Sequence, residues 1–475
     1  MKNIFSFFIV FLFLQFSGIA DDTTTVVILH TNDMHSHIDK FSSLASYVKM
    51  FRQKYENVFL FSAGDLFTGN PVVDKYKAPG YPIIDLMNKV KYDVSEIGNH
   101  EFDYGQATLN KRMEQATFPF ICANMKITHQ SILKQPKPMV TFYTKDSLKI
   151  MILGLLQLGK NGLPDAMLKK MEGIQFSNPI KIAKHYQSYH DSCNVFIALT
   201  HLGANTDKIL AEKAPFFDVI IGGHSHTKLP NGIKIGNTLI TQAGCYMDYL
   251  GVLSLKLVNG KVVSKQDSLI TLVMGNHNHD DISQLIEKYN QDSTLNTVIG
   301  QAKQDLTAPD MLGNLITDAM RQKLNVDIAF QNIGGIRLDK IPQGNITVKQ
   351  IYQLQPFDNT FITYNLTPKQ IKQLIKYAFN LYHKNELEVS GINIKLHVNS
   401  HQNLKGIDLF DLKGNPLNKG KFTVAINNYM ASAYKLPFLK KGKATNILDA
   451  ETTIEYIKKH QRLNVGSKRI TIVKE

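Results

Sequence analysis

Residues 98–103 read Gly98-Asn99-His100-Glu101-Phe102-Asp103 and follow directly on the run 94–97, which begins with Val94 and ends with Ile97. Four more polar clusters in the first half of the chain stand in the same relation to a short apolar run. His30-Thr31-Asn32-Asp33-Met34-His35 follows 26–29, and Ser62-Ala63-Gly64-Asp65 follows 58–61. Thr200-His201 follows 195–199, and Gly222-Gly223-His224-Ser225-His226 follows 219–221. Such runs, separated by helix-length intervals between Thr25 and Leu272, predict a layered α/β domain with buried strands, although run length alone does not tell strand from helix. If the runs are strands, all five clusters leave from strand ends, where ligands collect in folds of this kind.

The residue types in these clusters are as telling as their places. Asp, His and Asn offer hard oxygen and imidazole nitrogen donors suited to Zn, Mn or similar divalent ions, and no cysteine stands among them. Asp33 and His35 are two apart, so in an extended segment both side chains project to one side and can grip one ion; His224 and His226 repeat the spacing. Gly64, Gly98, Gly222 and Gly223 permit tight turns and close backbone approach. One Asp-x-His or His-x-His means little, but five clusters in one kind of context point to a metal site.

The 475 residues exceed what one core usually organises, so two domains are expected. Hydrophobic content of 43% and charged content of 20% are those of a soluble globular protein. Lys2, the apolar run 4–16 and the small residues Ser17, Gly18 and Ala20 read as a secretory signal peptide over 1–20, which predicts export to a periplasm or the medium. No second apolar stretch is long enough for a membrane span. Cys122, Cys193 and Cys245 cannot all pair and form no disulfide framework. Formal net charge is +14, of which residues 306–475 carry +11, favouring an anionic partner. The basic residues are scattered without interleaved aromatics, so a nucleic-acid polymer is not expected.

Near Asp280 the pattern changes. Ile282, Leu285, Ile286 and Tyr289 recur at helical spacing, and polar sequence follows, so an interdomain link is placed at 280–306 between a first domain at 21–279 and a second at 307–475. Leu312, Leu315, Ile316, Ala319 and Met320 form one helix face; Thr367 caps another helix, with Pro368 in its first turn and Ile371, Leu374, Ile375, Ala378 and Leu381 on its apolar side. Strand-like alternation over 389–424 makes the second domain mixed α and β.

The ordered series Asp-x-His, Gly-Asp, Gly-Asn-His-Glu-Phe-Asp, a single His after an apolar run, and Gly-Gly-His-Ser-His resembles the calcineurin-like metallophosphatase core. Leu312-Gly313-Asn314-Leu315-Ile316, Asn332-Ile333-Gly334-Gly335-Ile336-Arg337 and Gln355-Pro356-Phe357 resemble the 5′-nucleotidase C-terminal domain. The mature chain thus resembles the 5′-nucleotidase and 2′,3′-cyclic phosphodiesterase family, which implies a four-layer α/β/β/α domain followed by a mixed α+β substrate-binding domain. By motif, the resemblance implies one metal held by Asp33, His35, Asp65 and His226, and a second, bridged by Asp65, held by Asn99, His201 and His224. Two such ions, about 3.5 to 4 Å apart, clamp a phosphoryl group and lower the pKa of water toward roughly 7. The implied catalytic pair is His100 and Asp103, with Asp103 orienting the imidazole that serves as acid for the leaving oxygen. Glu101 and His37 are expected to support the site or to face solvent.

For the substrate, a phosphate ester of nucleotide type, Arg337 and the glycine-rich turn of Asn332, Gly334 and Gly335 are candidate anion contacts. The expected stacking aromatic falls on Glu386 or Leu387, and the family's Gly-Gly-Asp-Gly-aromatic motif is replaced by 428–438, where Tyr434 and Phe438 are the candidates for stacking on a base. That departure keeps two alternatives open: a related hydrolase acting on another anion, and a metal-binding protein without catalysis.

Overall fold

The computed structural model describes residues 22–159, 161–274, 281–466 and 468–474. The signal-peptide expectation for 1–20 and the start of the link at 280 lie outside the described residues.

Every apolar run that precedes a polar cluster lies in a strand, except that the run 94–97 outlasts its strand by Ile97. Thr23–Thr31, Asn57–Ser62, Val94–Glu96 and Phe120–Ile121 run parallel in one six-stranded sheet, completed by the antiparallel hairpin Tyr249–Val258 and Lys261–Thr271. Lys149–Leu156, Val195–His201, Val219–Ile221 and Thr238–Thr241 are the parallel strands of a second six-stranded sheet, edged by Met139–Tyr143 and Ile233–Ile235. Alternation along the strands divides their side chains between two cores. Ile28, Phe61 and Val94 of one sheet meet Ile150, Ile197 and Val219 of the other in a shared apolar layer.

The opposite faces take helices. Val27, Leu29 and Leu60 pack with residues of Phe41–Lys54, Tyr81–Val90, Gln106–Gln115 and Asp281–Asn290. Met151, Phe196 and Ile220 pack with Pro179–His185 and Ala204–Lys213. The result is the expected helix, sheet, sheet, helix stack. Each fully buried Phe, Ile or Leu there stabilises the fold by about 1.5–3 kcal/mol relative to exposure.

Register explains why the clusters meet. Thr31 pairs with Ser62, and Ser62 with Ser95, so three parallel strands end level and release 32–35, 63–65 and 97–99 from one edge. Leu199 pairs with Ile221 in the facing sheet, bringing His201 and the turn at 222–226 to the same edge.

The second half centres on a five-stranded sheet in the order Leu387–Ser390, Ile328–Asn332, Phe422–Asn427, Thr360–Leu366, Lys443–Leu448. Pro368–Tyr382 packs on it through Ile371, Leu374, Ile375 and Ala378, and starts with a Thr367–Gln370 capping box. The stretch assigned to the link carries elements of its own: Asp281–Asn290 packs on the first domain through Ile286 and Tyr289, whereas Val298–Ala302 pairs with Gly344–Thr347 of the second.

Candidate active site at the strand ends

The loops leaving the first sheet stay hydrogen-bonded beyond the strands. Asp33 N–H donates to Gly64 O (3.0 Å), His35 N–H to Asp65 O (3.0 Å) and Ser36 N–H to Leu66 O (2.7 Å). Glu101, fully buried, accepts from the N–H groups of Asp65 (3.0 Å) and Leu66 (2.6 Å) and from that of Gly98, fastening two of the loops together. Gly98 has no substitute here, since a Cβ would stand 2.2 Å from Asp65 Oδ1. Five non-glycine residues of the cluster adopt left-handed backbone: Asp33 (φ 49°), His35 (46°), Asp65 (53°), His224 (76°) and His226 (54°). Such residues cost about 1–3 kcal/mol each and persist where the surroundings over-determine them.

Their side chains converge. Asp65 Oδ2 lies 3.0 Å from His201 Nε2 and 3.9 Å from His35 Nε2, while its Oδ1 accepts the His100 N–H at 2.9 Å. His226 Nε2 is 3.0 Å from His35 Nε2 and 3.4 Å from Asp33 Oδ1. His224 Nδ1 stands 3.1 Å from Asn99 Oδ1. Among the described residues three groups of donor atoms each fall within 4.8 Å of one another: Asp33 with His35 and His226, Asp65 with His201 and His224, and, between them, His35 with Asp65 and His100.

The atoms that meet are suited to cations. His35 Nδ1 and His201 Nδ1 are occupied by the carbonyls of Thr68 (2.9 Å) and Ala63 (2.7 Å), which turns both Nε2 atoms toward the cluster. His201 Nε2 is buried without an aligned hydrogen bond despite its closeness to Asp65. Burial, with the neighbouring positive groups, pushes the imidazoles of His224 and His226 down to about 3 and about 4, leaving them neutral donors. Burial also lifts the Asp33 carboxyl to about 7. Burial opposes protonation of His201 too, yet the Asp65 carboxylate outweighs it and holds that imidazole at about 10. Carboxylates and imidazoles packed this tightly, with His201 Nε2 buried and lacking an aligned hydrogen bond, fit divalent cations, which would take the place of the proton that Asp65 now holds there.

His100 Nδ1 is 2.7 Å from Asp103 Oδ2, three residues on in the same turn. Burial disfavours the charged imidazole, but Asp65 and Asp103 reverse that and raise its pKa. His37 is largely enclosed, its ring 4.7 Å from that of Tyr246.

Between these loops and the second domain lies a cavity of about 460 Å³. Arg337 enters it from the second domain, with Nη2 3.3 Å from His35 Nε2, and Asn332, Gly334 and Gly335 line the same wall. Tyr434 reaches the cavity but is 5% exposed and packs on Tyr377 at 5.2 Å. Phe438 does not line it and packs against the core of the second domain. Residues not singled out in sequence also stand there, among them Tyr429, Tyr382, Phe357, Asp165, Lys170 and Lys435. Phe357 belongs to the Gln355-Pro356-Phe357 motif and Tyr429 to 428–438; Asp165, in irregular chain, and Lys170, in the short turn Leu168–Met171, gave no signal.

Residues 26–228 match the family model for calcineurin-like phosphoesterases, and 291–439 that for the 5′-nucleotidase C-terminal domain. The chain is 27% identical over 414 residues to the trifunctional nucleotide phosphoesterase YfkN of Bacillus subtilis, a match covering 76% of this chain and only 28% of that protein. It is also 27% identical over 528 residues to protein UshA of Yersinia enterocolitica, covering 94% of this chain and 93% of that one. The crystal structure of the 5′-nucleotidase precursor from Thermus thermophilus superposes with a TM-score of 0.83 at 25% identity, over 95% of this chain and all of that one. Two family matches in this order, on a fold that brings their motifs together at one edge, identify the chain as a member of the 5′-nucleotidase family of metal-dependent hydrolases, built from a calcineurin-like phosphoesterase domain and a 5′-nucleotidase C-terminal domain.

Proposed function

We propose that the protein is an exported phosphohydrolase that uses two divalent cations to remove phosphate from nucleotides. The observation that carries this reading is the meeting of Asp33, His35, Asp65, Asn99, His201, His224 and His226 beside the His100–Asp103 pair, facing Arg337 across one cavity. Asp33, His35, Asp65 and His226 would hold one cation; Asn99, His201 and His224, with Asp65 shared, would hold the other. When bound, the cations supply Lewis acidity to a phosphoryl group and lower the pKa of water toward roughly 7.

The chain's own residues do the rest. Asp103 holds His100 Nδ1 and thereby directs a proton on Nε2 toward the leaving oxygen, assistance worth on the order of 10² to 10⁴ in rate. Arg337 and the backbone of Asn332, Gly334 and Gly335 receive the phosphoryl anion. The names of the relatives support a nucleotide substrate, and the division into 21–279, 280–306 and 307–475 is the one this reading uses.

Glu386 favours one alternative within the same chemistry: it stands in the cavity wall where an aromatic ring was expected, which suits a phosphate ester other than a nucleotide. Purified protein with Mn or Zn, assayed on AMP, UDP-glucose, cyclic nucleotides and p-nitrophenyl phosphate, separates the two. Turnover of AMP supports the nucleotide reading, turnover of the aryl phosphate alone supports the alternative, and turnover of none overturns both. Export predicts an exported chain whose N-terminus is Asp21, checked by sequencing.

A further inference from the structure

The Gln355-Pro356-Phe357 turn follows the helix Val348–Leu354 and lays a half-buried ring from the second domain against the first. Phe357 stacks on the His100 imidazole, with ring centroids 5.5 Å apart and planes inclined by 17°. His35 meets the same imidazole edge-on at 5.0 Å, and Asp103 Oδ2 holds its Nδ1 at 2.7 Å. The turn is itself tied to the first domain: Lys75 pairs with Asp358, and its ammonium lies 4.8 Å from the centroid of the Tyr352 ring. The Arg337 guanidinium is 5.7 Å from the Phe357 centroid, so one aromatic side chain touches both the acid candidate and the anion contact. With Asp103 and Lys170, Phe357 also lines a second cavity of about 320 Å³ and so helps divide it from the first.

We infer that Phe357 is a positioning residue for His100. A hydrogen bond to Asp103 anchors the imidazole at one atom and leaves the ring free to tilt about that bond. A near-parallel, offset ring packed beside it restrains the tilt, and such contacts are attractive in themselves. The same ring lines both cavities beside the imidazole. Positioning matters because a displacement of about 1 Å at a reacting group can cost on the order of 10²-fold in rate. The inference rests on the proposed phosphohydrolase reading, with His100 as the acid.

The test uses the full chain loaded with Mn or Zn and compares Phe357→Leu and Phe357→Tyr with the unaltered protein. An acid is needed most where the leaving group is a poor one, such as the nucleoside of AMP, and least for p-nitrophenolate. Phe357→Leu is expected to lower kcat on AMP by about tenfold or more with little change in KM, to leave p-nitrophenyl phosphate within about twofold, and to be rescued by Phe357→Tyr. A second readout needs no turnover: in histidine-labelled protein, the His100 ring resonances, assigned by their loss in His100→Asn, move in Phe357→Leu and return in Phe357→Tyr.

Equal losses on both substrates, an unchanged kcat on AMP, or unmoved His100 resonances would overturn the inference while leaving the phosphohydrolase reading standing. Failure of the unaltered protein to hydrolyse AMP, UDP-glucose, cyclic nucleotides and p-nitrophenyl phosphate alike would overturn that reading and the inference with it.

Discussion

The two walls of the cavity are made in different ways. On the first domain the polar groups sit on loops that prolong level parallel strands, tied to each other by backbone hydrogen bonds and by Glu101, and five of them hold left-handed backbone. On the second domain the wall is assembled from a glycine-rich turn, the Phe357 turn and rings from separate segments, with ordinary backbone at Asn332, Tyr382 and Tyr429. The first wall is a property of local segments. The second is a property of packing, and its chemistry can change without disturbing the sheet beneath it.

The largest effect that would break this contrast is expected at Asp65. Asp65→Ala removes the carboxylate that both donor groups approach, so both cations should be lost and kcat should fall by more than about 10³-fold, taking removal of a single preorganised charge-stabilising group as the lower bound. Elemental analysis that still finds two tightly held ions would end the bridging role. His100→Asn should keep the cations and lower kcat on AMP by on the order of 10² to 10⁴. Turnover close to that of the unaltered protein would make His100 a bystander.

On the other wall, Arg337→Ala should act on affinity. Loss of a charged hydrogen bond of about 1.5–3 kcal/mol predicts a KM raised by about ten- to 150-fold, with the cation content unchanged. A loss of cations instead would tie the arginine to the first wall.

The smallest effect concerns a carboxyl buried in the second domain, where Glu388 on the strand Leu387–Ser390 packs against Gly313 of the helix Asp310–Leu324. Burial pushes Glu388 up to about 8, with Asp310 adding to it and Arg469 and Lys468 opposing. A carboxyl raised in the folded state contributes stability that is fully present below its unfolded value, about 4.3, and lost as pH rises through the folded one. Thermal melts of Glu388→Gln should therefore gain on those of the unaltered protein by a few degrees between pH 5 and pH 9. Parallel pH profiles would show the carboxylate to be better solvated than its burial suggests.

The same contrast decides what could be read in the sequence. That Asp33, His35, Asp65, Asn99, His100, Asp103, His201, His224 and His226 meet at one edge was legible, because strand ends and glycine turns keep these residues within a few positions of a recognisable apolar run. The capped helix from Pro368 was legible for a similar reason, its cap and period both being local. The cavity wall of the second domain was not. Tyr434 and Phe438 are four apart, yet the fold sends one toward the cavity and the other to the core, and nothing in their spacing distinguishes them. Asp165 and Lys170 line the cavity from irregular sequence of the first domain, a long-range placement without periodicity. Phe357 stood in a recognised motif, but a partner 257 residues away in the chain is invisible until both domains are placed.

The left-handed backbone at the donor residues also bears on how such a site endures. Glycine or asparagine at those five places would relax the chain, so selection for thermal robustness alone would drift away from aspartate and histidine there. Retaining them is a standing concession of folding stability to chemistry. A thermostabilised descendant that traded these side chains away would be a sturdier protein that kept only Asn99 and His201 of the proposed ligand set.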